Sequence, residues 1–232
     1  MPASIAEIDR LLKDFRAFEE QHKAAWIANF KADFTKLAEG FWKVQGVALE
    51  RLKHKPEFNI FRLLEIEHFE VKTHSVMLAD LLDPNGSHGQ GGLFLRAFLE
   101  RIGLPEMAAK VTDDPLGRRQ WLVWREHEYI DITVQSSAHR FLMFIENKVY
   151  AGEQPDQLAR YRERLAGRAD RHPHHCLVFL TPGGRDPETG DADHVLSYRK
   201  DIADWLEALR PSVEAPTVRT LLAQYIDTVR SL

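Results

Sequence analysis

Three ionisable residues break apolar runs in a way that could serve chemistry. Asp131 interrupts YIDITV, and Glu146 and Lys148 interrupt FLMFIENKV. Side chains two apart on a strand share a face, so Glu146 and Lys148 project together while Ile145 and Asn147 point the other way. If the two strands pair, Asp131 joins them. Carboxylates held a few ångström apart repel each other unless a cation lies between them, and an oxygen-rich pocket suits Mg²⁺, with Mn²⁺ as a substitute. A cation held there polarises a phosphoryl oxygen and lowers the pKa of a bound water, while a nearby lysine orients that water or steadies negative charge. That is the chemistry of phosphodiester hydrolysis. The plainer alternatives are two surface acids on edge strands and a lysine that only pairs with Glu146. The apolar residues flanking both acids favour burial.

Other sites carry less. The sequence has no GxxxxGK[ST] phosphate loop, no HExxH and no GxSxG. NGSHGQGG, at 85–92, follows no strand and reads as a tight loop between helices rather than a dinucleotide fingerprint. HPHHC, at 172–176, has metal-capable atoms but lacks a complementary pair and leads into an apolar strand. Cys176 is the single cysteine, which excludes an internal disulfide framework and any multi-cysteine zinc or iron–sulfur site within one chain. Arginines at 160, 162, 164, 168 and 171 read as a solvated helix face, with phosphate contact the lesser reading.

The elements that must position Asp131, Glu146 and Lys148 follow from periodicity. Between Ala3 and Lys55 there is no proline, and apolar residues from Ile5 through Phe18 and from Trp26 through Phe41 recur at three and four, which predicts two or three amphipathic helices. Pro56 ends that pattern, and Asn59 suits the N-cap of a helix through Ile60 and Leu64. Further helices are expected to end at Leu82 and to run over 93–102. From Trp121 to Val134, β-branched and aromatic residues predict either one long bent strand or two tightly joined ones, since no turn residue intervenes. SSAHR suits a hairpin loop into FLMFIENKV, QPDQLARYRERLAG reads as a helix, and CLVFLTP as a buried strand. HVLSY is a candidate further strand and RKDIADWLEAL a helix. A hairpin followed by a right-handed crossover sets the strand CLVFLTP parallel to its neighbour. The class is α/β: a small mixed sheet flanked by helices.

The run Ile130-Asp131, fourteen intervening residues, Glu146-Asn147-Lys148, and then a helix with Gln157 and Tyr161 resembles the PD-(D/E)XK nuclease superfamily. The strand-to-helix step FIENKVYAGEQPDQLARY and the upstream stretch EVKTHSVMLADLLDPNGSHGQGGLFLRAFL look like one branch of it, bacterial and phage-associated and mostly of unassigned role. The likeness spans roughly 58–209. It implies a restriction-endonuclease-like core over residues 56–232, with 1–55 an N-terminal helical extension. It also implies that Asp131 and Glu146 bind the metal, with the carbonyl of Asn147 as a further ligand and Glu70 as an outer metal or water ligand. Lys148 would position the water, and Gln157 and Tyr161 would match the family's Q-x-x-x-Y. Ile130 stands where the family's name-giving proline would be. His74, four after Glu70, either holds that carboxylate or is a satisfied core histidine.

The chain has 232 residues with 31 Lys+Arg against 35 Asp+Glu, a net charge of −4. Such a balance is a poor general attractor of nucleic acid, so any contact needs local patches. With no apolar run of about 18–20 residues and a charged opening, MPASIAEIDR, a cytoplasmic protein with no membrane association is expected. The expected substrate is nucleic acid, most readily DNA, in phage defence or repair. The alternative is a catalytically inactive nucleic-acid-binding or scaffold protein that keeps the fold. The aromatic face of residues 1–55 must be covered by the same chain, by a different protein or by a second copy, and a homodimer through these helices is the expectation.

Overall fold

The computed structural model describes residues 5–54 and 58–232. The chain divides into two compact units, Met1–Phe58 and Asn59–Leu232. The helix break expected at Pro56, and the boundary expected between 55 and 56, lie outside the described residues.

The first unit contains one continuous helix, α1 (Ile5–His54), where two or three were expected. Gly40 and Gly46 were the only breakers in the run. An interior glycine costs about 1 kcal/mol relative to alanine, which weakens a helix without ending it.

In the second unit Asn59 is the expected N-cap. Its side-chain oxygen accepts from the backbone N–H groups of Phe61 and Arg62 and opens α2 (Ile60–Leu63). The helix expected to continue lasts only one turn, because Glu65 takes a left-handed φ of 54°. A π-helical turn, Glu70–Ser75, then leads directly into α3 (Val76–Leu82). The glycine-rich loop follows. A Cβ on Gly86 would lie 2.2 Å from the Asp80 carbonyl oxygen, so only glycine fits there. After it come α4 (Leu93–Arg101) and the single turns α5 (Pro105–Ala108) and α6 (Pro115–Arg118).

The stretch that lacked a turn residue forms two strands, β1 (Leu122–His127) and β2 (Ile130–Ser136). They pair antiparallel, and β2 pairs antiparallel with β3 (Phe141–Asn147). Next, α7 (Gln157–Ala166) crosses over to β4 (His174–Thr181), which is parallel to β3 as expected. The irregular stretch 182–193 returns the chain to β5 (His194–Ser197), parallel to β4. The sheet order is β1-β2-β3-β4-β5. A second π-helical turn, Tyr198–Ile202, opens α8 (Ala203–Leu209), and α9 (Pro216–Ser231), for which no element was expected, closes the chain.

One sheet face, with Ile132, Met143, Ile145 and Val178, packs into the larger core with Leu82, Phe94, Trp205 and Tyr225 from the helices. The other face, with Leu142, Phe144, Leu177 and Phe179, packs under Leu158, Tyr161 and Leu165 of α7. The result is the mixed sheet between helical layers read from the sequence. Among the described residues no helix is long and apolar enough to cross a membrane.

Candidate active site

The parallel strand ends and the start of β2 meet at one edge of the sheet. Ile132 pairs with Ile145, and continuing that register by one residue sets Asp131 opposite Glu146. Both acids are buried, as are Asn147 and Lys148. Side chains alternate along β3, so Glu146 faces α7 while Asn147 faces the opposite way. Gln157, the first residue of α7, donates from its amide to Glu146 Oε1 at 2.7 Å. Asn147 donates from its amide to Ser75 Oγ at 3.1 Å and to the Glu70 carbonyl at 3.3 Å.

Lys148 lies just past β3, yet its backbone N–H still bonds the Leu180 carbonyl of β4 at 2.8 Å. Its Nζ sits 2.6 Å from Glu146 Oε1 and 3.7 Å from Glu70 Oε1. The other oxygen of Glu70 accepts from the Val149 backbone N–H at 2.6 Å, and Asp131 Oδ2 accepts from the Asn147 backbone N–H at 2.7 Å. Glu146 and Glu70 thus hold the ammonium, while Asp131 and Glu70 each accept from a backbone amide at the end of β3 or just past it. Glu70 reaches this point because it begins the π-helical turn, a distortion common at functional sites.

Burial, then the neighbouring Asp131 charge, pushes the Glu146 carboxyl up to about 7. Burial likewise pushes Asp131 up to about 6. Burial alone would lower the Lys148 pKa, but the charge of Glu146 and its hydrogen bond hold it above the ordinary lysine value. The Tyr161 phenol is pushed up to about 12 by burial and by Glu146. It stays protonated and donates to the Tyr129 carbonyl at 2.5 Å, while Gln157 donates to its oxygen at 3.1 Å.

The donor set fits a hard divalent cation in one respect. Glu146 Oε2 is buried and has no hydrogen-bond partner, beside a second buried carboxylate. Among the described residues no three His, Cys, Asp or Glu side chains form a ready cage. A cation here would therefore draw on Asp131, Glu146, a backbone carbonyl and water, as Mg²⁺ commonly does.

Six residues anticipated from the sequence, Asp131, Glu146, Asn147, Lys148, Gln157 and Tyr161, gather at this edge, and Glu70 joins them from the preceding helix. His74 does not hold Glu70. Its Nε2 lies 2.8 Å from the Glu67 carbonyl and its Nδ1 3.1 Å from the Tyr225 hydroxyl, and burial lowers its pKa, so it is a satisfied neutral core histidine. His88 bonds the Asp83 carbonyl and the Gln90 backbone N–H and shapes its own loop. The arginines of this stretch are not simply solvated: Arg162 and Arg164 on α7 bond Asp193 and Glu128, and Arg168 just past the helix also bonds Glu128.

Ser75 and Glu153 were missed. Glu153, almost wholly buried, bonds Arg185 and the backbone of Glu188 and Thr189, fixing the loop after β4. That loop and the Lys148–Glu153 segment enclose a groove of about 440 Å³, lined by Lys148, Arg185 and Arg199 among others. The signal for Glu153 was an acid following glycine in a segment otherwise read only as a strand-to-helix step. Ser75 had no local signal, because its partner Asn147 is 72 residues away.

A family profile described as the PD-(D/E)XK nuclease superfamily matches residues 58–227. No curated protein matches the chain, and neither does any solved structure.

Proposed function

The chain belongs to the PD-(D/E)XK nuclease superfamily, and on that premise we propose that it is a Mg²⁺-dependent nuclease that hydrolyses phosphodiester bonds in DNA, in phage defence or repair, within the cytoplasm. The observation that carries this reading is the buried contact of Lys148 with Glu146 at 2.6 Å, with Asp131 opposite and one Glu146 oxygen unpartnered. Asp131, Glu146 and the Asn147 carbonyl would hold the cation, with Glu70 as an outer ligand. The bound cation would supply a polarised phosphoryl oxygen and a more acidic water. Lys148, kept charged by Glu146, orients the attacking water and offsets the charge that builds on the phosphoryl oxygens. Gln157 fixes the rotamer of Glu146, and Tyr161 holds Gln157 from one turn further along α7. The groove beside Lys148, with Arg185 and Arg199, gives an otherwise acidic chain a local track for the phosphate backbone. Residues 56–232 form the nuclease domain and 1–55 a helical extension through which the chain forms a homodimer.

The test is cleavage of labelled single- and double-stranded DNA and RNA in Mg²⁺, Mn²⁺ and EDTA. Metal-dependent cleavage that Lys148→Ala abolishes supports the reading. Nucleic-acid binding without cleavage under every condition would leave a non-catalytic binding protein.

A further inference from the structure

On α1 the side chains of Phe15, Phe18, Trp26, Phe30, Phe34 and Phe41 are 55–66% exposed. They belong to one stripe. From Phe15 to Val44, through His22 and Leu37, eight steps cover 29 residues, or about 3.6 per step. That is the period of a straight helix, so the stripe stays on one side instead of winding around it. Isolated helices draw most of their stability from packing such a face.

The stripe is close to symmetric about Phe30. Trp26 and Phe34 lie four residues to either side, Phe18 and Phe41 twelve and eleven, and Phe15 and Val44 fifteen and fourteen. Reversing the helix about Phe30 therefore lays the stripe on itself, large residue against large residue. The charges at its ends agree. Glu7 and Asp9 flank the start of the stripe, and Arg51 continues it at the far end, 21 residues from Phe30, as Asp9 is on the other side. A reversed pair sets Asp9 of one copy level with Arg51 of the other along the axis, whereas a same-direction pair sets each charge level with its own kind.

We propose that α1 pairs with α1 of a second copy of this chain as an antiparallel helix pair, with the twofold axis at Phe30. This rests on the homodimer part of the reading above and adds its geometry. A 50-residue helix is about 75 Å long, and the eight apolar side chains of the stripe, burying about 100 Å² each, give about 800 Å² per copy. A stable interface needs about 800 Å² per partner. The 3.6 period favours two straight rods in contact along their whole length, with little supercoil.

Cysteine mapping tests the direction directly, since Cys176, the only native cysteine, is buried. Single variants Phe15→Cys, Phe30→Cys and Val44→Cys of the full chain are oxidised and run on non-reducing gels. Their mass by light scattering and their helix content are measured first. Wild type should be a dimer at micromolar concentration. Phe30→Cys should cross-link to itself, while Phe15→Cys and Val44→Cys should cross-link only when mixed with each other. Phe30→Asp should weaken the dimer at least about thirtyfold with helix content retained in the second unit. Self-cross-linking of Phe15→Cys and of Val44→Cys, without a mixed product, would mean a parallel pair and overturn the geometry alone. A wild-type chain that stays monomeric at tens of micromolar overturns both the pair and the homodimer, and leaves the nuclease reading untouched.

Discussion

Asp131, Glu146 and Lys148 were legible in the sequence because each breaks a run of residues that only a buried strand would carry. Glu70 was not legible in this way. Glu65 and Glu67 share its composition and neighbourhood, and what separates them is a π-helical turn that no local pattern announces. The ionisation of the two strand acids leads to a prediction about stability. Each has a folded pKa, about 6 for Asp131 and about 7 for Glu146, above its ordinary value. The folded state therefore binds more protons than the unfolded state between about pH 4 and 7, and the stability that this adds is present at low pH and is lost as pH rises through the folded pKa values. Metal-free protein should thus be more stable near pH 5.5 than near pH 8 in this respect, and Asp131→Asn should flatten the slope. Denaturant titrations in EDTA at both pH values would show it; an unchanged slope in Asp131→Asn removes Asp131 as its source. For the catalytic proposal, Lys148→Ala should lose at least about a hundredfold in rate while still responding to Mn²⁺ in thermal unfolding, because the ammonium acts on charge in the transition state and not on the cation. Gln157→Ala should fall between wild type and Lys148→Ala, since it loosens Glu146 without removing it. Wild-type cleavage by Gln157→Ala would make that contact mere packing.

Secondary structure was read best where periodicity is long and worst where tertiary contacts decide. The turn between β1 and β2 is the clearest case. Glu128 and Tyr129 take φ values of 54° and 66°, a left-handed pair that usually calls for Asn-Gly. Three groups on α7 and just past its end hold it: the Tyr161 hydroxyl bonds the Tyr129 carbonyl, Arg164 bonds the Glu128 carbonyl, and Arg168, two residues beyond the helix, bonds its carboxylate. The sequence showed no turn residue because the turn is imposed from outside. Tyr129 is 87% exposed, so its side chain contributes little to packing. Tyr129→Gly should therefore leave stability unchanged or raise it by up to about 1 kcal/mol, by relieving left-handed strain. A loss of more than about 1 kcal/mol in urea unfolding would mean that the ring has a packing role. By contrast α9 went unread although Val218, Leu222, Tyr225, Ile226 and Val229 follow helical spacing, and there the signal was present. Its packing explains why the start of the second unit is fixed: Asn59 donates to the Gln224 carbonyl and to Thr228 of that helix.

At the scale of the chain, the two units have different sources of order. Asn59–Leu232 holds one sheet with a core on each face, and α1 holds a single helix with an uncovered stripe. A chain beginning at Phe58 should therefore fold by itself and unfold in one cooperative transition, with metal response intact, while losing any self-association. Aggregation or non-cooperative unfolding of that fragment would mean that α1 is needed for the core. The mixed sheet and its parallel crossover were legible because strand and helix periods alternate along 121–181, and they place the candidate site where β3 and β4 end. One residue far from that edge provides a measurement. Cys176 is buried in β4, which pairs with β3 and β5, and burial pushes its thiol up to about 12. Only a thiolate exposed to solvent is readily alkylated, so labelling of the native protein must wait for the middle of the sheet to open. The ratio of its labelling rate to that of the unfolded chain then gives the fraction of time the sheet is open, and the chain carries its own clock for that event without any added probe.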